Sequence, residues 1–255
     1  MCRTKLLLIS LLLFSYTGAE AQSASKIKQA SYQAYTGAKI ALWDKAINLA
    51  EDYYSTSGSK TDLHGLLISQ YGYIAFSIAE NYTDKGKDML VSAYKNLKVL
   101  KDLCGENAEI IALEASFVAY ELNFYKFKMM RLGPKAVELT NRAYELDPNN
   151  LMALACKANQ LNFTPKIFGG SPPDAIPLFK KIIKLYETHC EDPSNNYRYI
   201  STLVTLAAIY EEMLMYSEAC ALYEQIIDFD SNINWINTDL YPACKSKLSI
   251  QQSGN

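Results

Sequence analysis

The two histidines are the first residues in this chain whose types could do chemistry. His64 stands at the start of a predicted helix, just after Asp62, which is typical of an end-capping region. His189 is followed by Cys190-Glu191-Asp192, and these residue types can bind a metal or form a Cys–His pair. Neighbouring residues at a helix end point in different directions, and no second pair of ligands follows at a suitable spacing. We therefore expect both histidines to be solvated or to cap helices, and we predict no metal site.

Glu211 and Glu212 are adjacent carboxylates, the residue type used in general acid–base catalysis. Adjacent residues on a helix do not face one another, so we expect both side chains to be solvated. The chain has no Gly-rich phosphate loop and neither an HExxH nor a GxSxG motif. We therefore predict that the protein is not an enzyme and needs no cofactor.

An aromatic row is the first candidate for binding. Its members recur partly at helical spacing and are followed by two methionines: Phe117, Tyr120, Phe124, Tyr125, Phe127, Met129 and Met130. Such a row is either packed in the core or exposed as an adaptable surface for a partner. The sequence leaves both interpretations open.

The second candidate is an insertion between two predicted helices, over residues 163–170. Phe168 stands before Gly169-Gly170 there, and the glycines allow a tight turn. The loop either folds over its own helix pair, with Phe168 as a plug, or contacts a ligand. We include Phe168 among the predicted partner-binding residues.

The composition excludes several classes of protein. The chain has 255 residues, of which 49% are hydrophobic, with 25 basic and 27 acidic residues and a net charge of −2. A nucleic-acid-binding protein normally shows a basic excess, so we expect no nucleic-acid partner. With 11 Gly and 8 Pro, the chain has few turns for a β-sandwich.

The first residues are typical of a signal peptide over residues 1–21. Arg3 and Lys5 precede a short apolar run, and Ala19-Glu20-Ala21 places small residues at the two positions that signal peptidase reads. The run is too short to span a bilayer comfortably. We expect a periplasmic or secreted protein that begins near Gln22 and is not inserted in the membrane after cleavage.

The cysteines after the predicted leader are odd in number and contain no CxxC pair: Cys104, Cys156, Cys190, Cys220 and Cys244. At least one thiol therefore stays unpaired, and a free cysteine commonly acts as a small core residue. One disulfide among the last three is an open alternative.

The hydrophobic pattern after residue 26 is helical almost throughout. Apolar residues recur at spacings of three and four, and the stretches end at clusters such as Asp147-Pro148-Asn149-Asn150. The helices come in pairs, at about 26–56, 62–103, 108–147, 149–189 and 197–230, with a terminal helix at about 238–250. Because one such pair cannot cover its apolar face, stacking is required, and we predict a single domain over residues 22–255.

Three segments resemble the tetratricopeptide-repeat (TPR) family. Small and aromatic residues recur at the family's spacing in Leu203-x2-Leu206-Ala207-x2-Tyr210, in Ala219-x3-Tyr223-x2-Ile226 and in Ala136-x3-Thr140-x2-Ala143-x4-Pro148. The resemblance implies an all-α fold of tandem antiparallel helix pairs, stacked as a right-handed TPR-like solenoid with a C-terminal capping helix.

The resemblance also implies a binding face. In this family partner contacts come mostly from the concave face, and its register here falls on Met152, Cys156, Asn159, Gln160, Val204, Ala208 and Glu211. Amides such as those of Asn159 and Gln160 can hold a peptide backbone. The predicted partner-binding residues are therefore Met152, Asn159, Gln160 and Glu211, together with Phe168.

The expected function is that of an exported, non-enzymatic scaffold that binds a protein or peptide segment on its concave face. The alternative is a periplasmic accessory subunit of a solute-uptake system with a small-molecule cavity. That alternative follows from the glycine-bearing insertion, which is similar to one in the TPR subunit of tripartite solute transporters.

Overall fold

The computed structural model describes residues 2–189 and 193–253, with side chains from residue 20 onward except that of His189. The side chains of residues 1–19 in the predicted leader, and Cys190-Glu191-Asp192, lie outside the described part. Within it the protein is all-α and contains no strand. The α-helices are α1 Cys2–Gly37, α2 Ile40–Ser57, α3 Lys60–Ala79, α4 Thr83–Cys104, α5 Ala108–Phe124, α6 Met129–Leu146, α7 Leu151–Phe163, α8 Pro172–His189, α9 Tyr197–Glu212, α10 Tyr216–Phe229 and α11 Tyr241–Ser253.

The helices pack as antiparallel pairs in chain order, which confirms the predicted helical-repeat solenoid. Each helix contacts the next, and the first helices of the first four pairs, α1, α3, α5 and α7, also contact one another along the inner face. Among the described residues, no helix is both long enough and apolar enough to cross a bilayer.

Side-chain caps define where the first helix of a pair begins. Ser59 Oγ accepts from the Asp62 amide at the start of α3, and Asn107 Oδ1 accepts from the Ile110 amide at the start of α5. Asn150 and Asn196 do the same for α7 and α9. Because these caps satisfy amides that have no partner inside the helix, they fix the turns between pairs. We call the side of the solenoid formed by these turns the capped edge.

The solenoid closes on itself, because α9 packs against α1 and α3. Tyr197 OH donates to the Ile68 carbonyl at 2.6 Å, and its ring lies edge-on to Trp43. Gly72 makes this approach possible: a Cβ there would lie 2.3 Å from the Trp43 ring and 2.8 Å from Tyr197 OH. Beyond α10, Trp235 Nε1 donates to the Thr36 carbonyl at 3.0 Å. The inner face of the first helices is therefore largely covered by the protein itself.

The capping helix α11 is held by a disulfide and by polar contacts. Cys220 of α10 is bonded to Cys244 of α11, with their Cα atoms 5.9 Å apart. Lys247 Nζ lies 2.5 Å from Glu211 Oε2, and Gln251 Nε2 donates to the Leu214 carbonyl at 3.0 Å. Of the three last cysteines, these two form the bridge that the sequence left as an alternative.

Candidate functional site

A cleft opens where the stacking of first helices is interrupted. α5 packs against α7, but α7 and α9 make no comparable contact, and the space between them is bounded by α8 and by Tyr71 of α3. Its interior measures about 40 Å³. One wall is apolar, with Leu151, Met152, Ala155, Phe179 and Ile182; the rest is polar or aromatic, with Asn159, Arg198, Ser201, Thr202, Thr205, Tyr71, Tyr186 and Tyr197.

Arg198 brings a positive charge to this cleft. Burial lowers the pKa of Arg198, but Tyr186, Tyr197 and Glu109 outweigh that effect and raise the pKa above its usual value. Glu109 is bonded instead to His64, with Oε1 2.9 Å from Nε2. Among the described residues, the Arg198 guanidinium makes no hydrogen bond and no ion pair.

The tyrosines around the cleft are neutral phenols. Burial raises the pKa of Tyr71 and raises that of Tyr197 well above its usual value. The cleft therefore contains one cation surrounded by uncharged hydroxyl groups, and sequence reasoning did not identify Arg198. The signal that could have found it is a single arginine at the first turn of α9, two residues after the Asn196 cap.

Two of the five predicted partner-binding residues line the cleft and three lie elsewhere. Met152 is buried, with 2% of its surface exposed, and Asn159 is partly exposed. Gln160 Oε1 lies 3.3 Å from Lys157 Nζ. Glu211 accepts from Tyr223 OH at 2.8 Å as well as from Lys247, so it joins α9 to α10 and α11. The partner-binding role of these residues remains a prediction.

The opposite side of the solenoid from the capped edge carries most of its exposed large apolar side chains. It is formed by the turns inside the pairs, and we call it the apolar edge. In the α5–α6 turn Phe127 is 81% exposed and Met130 is 91% exposed; in the α7–α8 loop Ile167 is 84% exposed and Phe168 is 60% exposed. The other exposed members are Tyr82, Met129, Phe163, Met213 and Leu214.

The aromatic row is divided between the core and this edge. Phe117 is fully buried, and the Tyr120 ring lies 5.4 Å from that of Tyr71. Phe127 and Met130, in contrast, project into solvent. The core interpretation therefore holds for Phe117, and for the exposed Phe127 and Met130 a surface for a partner stays a prediction.

The insertion is closed by backbone hydrogen bonds but does not bury Phe168. Ser171 N donates to the Leu161 carbonyl at 2.7 Å, which closes the loop over its own helix pair. A Cβ at Gly170 would lie 1.6 Å from the Thr164 carbonyl oxygen, and Gly169 has φ +88°. Both glycines are therefore required, while Phe168 is exposed and does not act as a plug.

The residues first considered for chemistry do not assemble an ion site in the described part of the chain. No group of three or more His, Cys, Asp or Glu side chains there could hold a metal. His64 and Glu109 stand in the first turns of α3 and α5, at the capped edge. The side chain of His189, and Cys190-Glu191-Asp192, fall outside the described residues.

Comparison with known proteins gives a structural likeness but no family. No protein-family model matches the chain, and no curated protein matches it either. Among solved structures, the chain is similar to the HusA haemophore from Porphyromonas gingivalis, with 17% identity and a TM-score of 0.57. The match covers 74% of this chain and 93% of that one. At this identity the likeness concerns the fold.

Proposed function

We propose that this protein is an exported, non-enzymatic binding protein that takes an apolar, anionic ligand of the haem class on its apolar edge. The observation that carries the proposal is the grouping of exposed aromatic, methionine and isoleucine side chains on one edge. Large exposed apolar surfaces mark interaction sites. The apolar edge is also held on ordered turns, as the closed α7–α8 loop illustrates.

The charges on the apolar edge suit a ligand with acidic groups. Lys126 and Lys166 are exposed in the α5–α6 turn and the α7–α8 loop, and neither makes an ion pair with a described residue. Haem combines a flat apolar macrocycle with two carboxylates, so the macrocycle would lie on Phe127, Ile167 or Phe168 and the carboxylates near the lysines. Met129 and Met130 offer thioethers, which can ligate haem iron.

The structural likeness to a haemophore makes haem the first ligand to test. The cleft between α7 and α9 is a poor alternative for so large a molecule, because pockets that enclose drug-sized ligands measure roughly 300–1,000 Å³. The apolar edge, in contrast, sets no limit on ligand size.

A protein or peptide partner is the second candidate, and it is favoured by the same methionine-containing surface. Exposed methionines adapt to many partner shapes. Binding of an extended peptide along the concave face is less well supported, because α9 packs on α1 and α3 and leaves little of that face open. Membership of the TPR family would be compatible with either candidate, as would an accessory role in solute uptake.

Export is supported by the disulfide between Cys220 and Cys244. Disulfides persist mainly in oxidising compartments such as the periplasm and the extracellular space. The predicted signal peptide would be removed after Ala21, and this cleavage would keep Ser23, whose hydroxyl donates to buried Asp62 at 2.6 Å. The folded domain would therefore retain its first helix contacts after processing.

The test is a haem titration followed by Soret absorbance, with the triple variant Phe127→Ser/Ile167→Ser/Phe168→Ser beside the wild type. We expect saturable binding to the wild type and at least tenfold weaker binding to the triple variant, about 1.4 kcal/mol. Lys126→Gln/Lys166→Gln should weaken binding by a smaller factor. Titration with metal-free porphyrin separates contact with the macrocycle from ligation of iron.

The matched control is Leu103→Ser/Leu146→Ser. Both leucines are 58% exposed, and both lie at the capped edge. This control should bind haem like the wild type. Equal loss in both variants, or no saturable binding to the wild type, would contradict the proposal.

A further inference from the structure

The cleft between α7 and α9 brings together two polar side chains that the fold leaves unused. Among the described residues, neither the Arg198 guanidinium nor the Asn159 amide makes a hydrogen bond, although both line the cleft. Both side chains are partly exposed, so water can hydrogen-bond to their N–H groups until a ligand displaces it. Both groups donate through N–H, and both therefore suit a ligand that accepts.

The hydroxyls of the cleft add little donor capacity of their own. Thr202 Oγ1 donates to the Arg198 carbonyl at 2.6 Å, and Thr205 Oγ1 donates to the Ser201 carbonyl at 2.8 Å. Their hydrogens are therefore occupied by the backbone of α9. The N–H groups of Arg198 and Asn159 remain as donors in the lining, and they are the groups that can bind a negative group.

In the part of the chain that the structure describes, no carboxylate forms an ion pair with Arg198. Glu109 is within electrostatic range of Arg198, but its carboxylate is bonded to His64 at the capped edge. The buried phenols nearby stay protonated at neutral pH. Among the described residues, Arg198 is the one charged side chain that lines the cleft itself, and a charge-assisted hydrogen bond is strongest where water is partly excluded.

The opposite wall limits what can accompany the negative group. Met152, Phe179 and Ile182 are buried apolar side chains on α7 and α8. The interior of about 40 Å³ has room for about three water molecules. A ligand that fills it must be small, with an acidic head and a short apolar body.

We propose that this cleft is a second binding site, specific for a short aliphatic monocarboxylic acid. Arg198 donates two parallel N–H groups to the two carboxylate oxygens, because the planar guanidinium matches the spacing of those oxygens. Asn159 donates a further hydrogen bond to the same group, and the aliphatic chain lies against Met152, Phe179 and Ile182. The site is separate from the apolar edge and does not depend on haem binding there.

The experiment is isothermal titration calorimetry of the full chain with sodium propionate, propionamide and inorganic phosphate at constant ionic strength. We expect propionate to bind at millimolar concentration or tighter, and propionamide to bind at least tenfold more weakly because it lacks the charge. Phosphate should also bind at least tenfold more weakly, because its apolar body is missing. Equal binding of phosphate and propionate would overturn the assignment to monocarboxylates in favour of a general anion site.

Variants locate the binding. Arg198→Gln should abolish the propionate signal, and Asn159→Ala should weaken propionate binding about fivefold, while the exposed Arg131→Gln serves as the matched control. If Arg198→Gln does not fold, Asn159→Ala and the wild-type comparison of propionate with propionamide still decide the question. Absence of propionate binding to the wild type, or unchanged binding to both cleft variants, would overturn the proposal.

Discussion

The two edges of the solenoid differ in how their helices begin. At the capped edge, Ser59, Asn107, Asn150 and Asn196 each cap the first helix of a pair with a side-chain oxygen. At the apolar edge, the second helices α2, α4, α6 and α10 begin without a side-chain cap. Capping contributes about 1 kcal/mol at each helix start, so the capped edge gains a stabilisation that the starts of these second helices lack.

Backbone conformation shows the same difference. Ala38 and Leu214, in the α1–α2 and α9–α10 turns of the apolar edge, adopt left-handed φ values of 48° and 60° without being glycine. At the capped edge, positive φ falls on residue types that tolerate left-handed backbone, which are Gly58, Gly105 and Asn195; Gly169 and Asn81 do the same at the apolar edge, so the difference rests on Ala38 and Leu214. Strain of this kind is tolerated where surrounding structure imposes it, and it often accompanies function. The apolar edge therefore combines lower local stability with exposed apolar surface.

The largest expected effect concerns the disulfide that secures the last turn of the apolar edge. Cys220→Ser/Cys244→Ser should lower the free energy of unfolding by about 3 kcal/mol, because a loop of 24 residues is no longer closed in the unfolded chain. α11 would then lose its covalent link to α10, and the contact between Gln251 and the Leu214 carbonyl would loosen. Chemical denaturation measures the change.

The control for the disulfide prediction is Cys104→Ser, which replaces an exposed free cysteine. It should leave the free energy of unfolding unchanged. An equal loss of stability in both variants would show that the covalent link contributes nothing specific to this end of the solenoid.

The next effect tests the capped edge. Asn107→Ala should destabilise the protein by about 1 kcal/mol, because the Ile110 amide loses its acceptor. Haem affinity should stay within twofold of the wild type, since the substitution is on the other edge. Asn123→Ala, an exposed position in the same helix, is the matched control in thermal denaturation. Weaker haem binding by Asn107→Ala would contradict the separation of the two edges.

The sequence predicts the pairs well because the determinants of each helix are local. Apolar spacing gives the helices, and clusters such as Asp147-Pro148-Asn149-Asn150 end them, so the solenoid follows. Asn150 is also the observed cap of α7. The resemblance to the TPR family implies that Met152 and Asn159 share the inner face, and both line the cleft.

Closure of the solenoid could not be predicted in the same way. Tyr197 donates to the Ile68 carbonyl across 129 residues, and this contact depends on the absence of a side chain at Gly72. No repeat pattern encodes such a pairing. Closure of the solenoid determines which inner-face residues stay accessible. Sequence reasoning could not predict this closure and therefore did not identify Arg198. Glu211, expected at the binding face, instead bonds Tyr223 and Lys247.

A smaller effect distinguishes stability from function at the apolar edge. Leu214→Gly should stabilise the protein by about 0.5 kcal/mol, because glycine relieves the left-handed strain but gives the unfolded chain more freedom. The same change removes an exposed apolar side chain and should weaken haem binding slightly. Met213→Gly, where φ is −87°, is the control and should destabilise by about 1 kcal/mol. Destabilisation by both variants in thermal denaturation would exclude strain at Leu214.

The smallest effect is a pH dependence at the capped edge. The hydrogen bond from His64 lowers the pKa of Glu109 below its usual value, although burial opposes this. A carboxylate with a lowered pKa in the folded state stabilises the protein above its unfolded pKa of about 4.3, and this contribution is lost as pH falls through the folded value. Glu109→Gln should therefore flatten the fall of stability below pH 4.3, while Glu145→Gln, exposed and without an ion pair among the described residues, serves as control. Denaturation midpoints measured between pH 5 and pH 3 test this prediction. Parallel curves for Glu109→Gln and the wild type would mean that the hydrogen bond between His64 and Glu109 does not contribute to acid sensitivity. The stability of the capped edge would then rest on its uncharged caps.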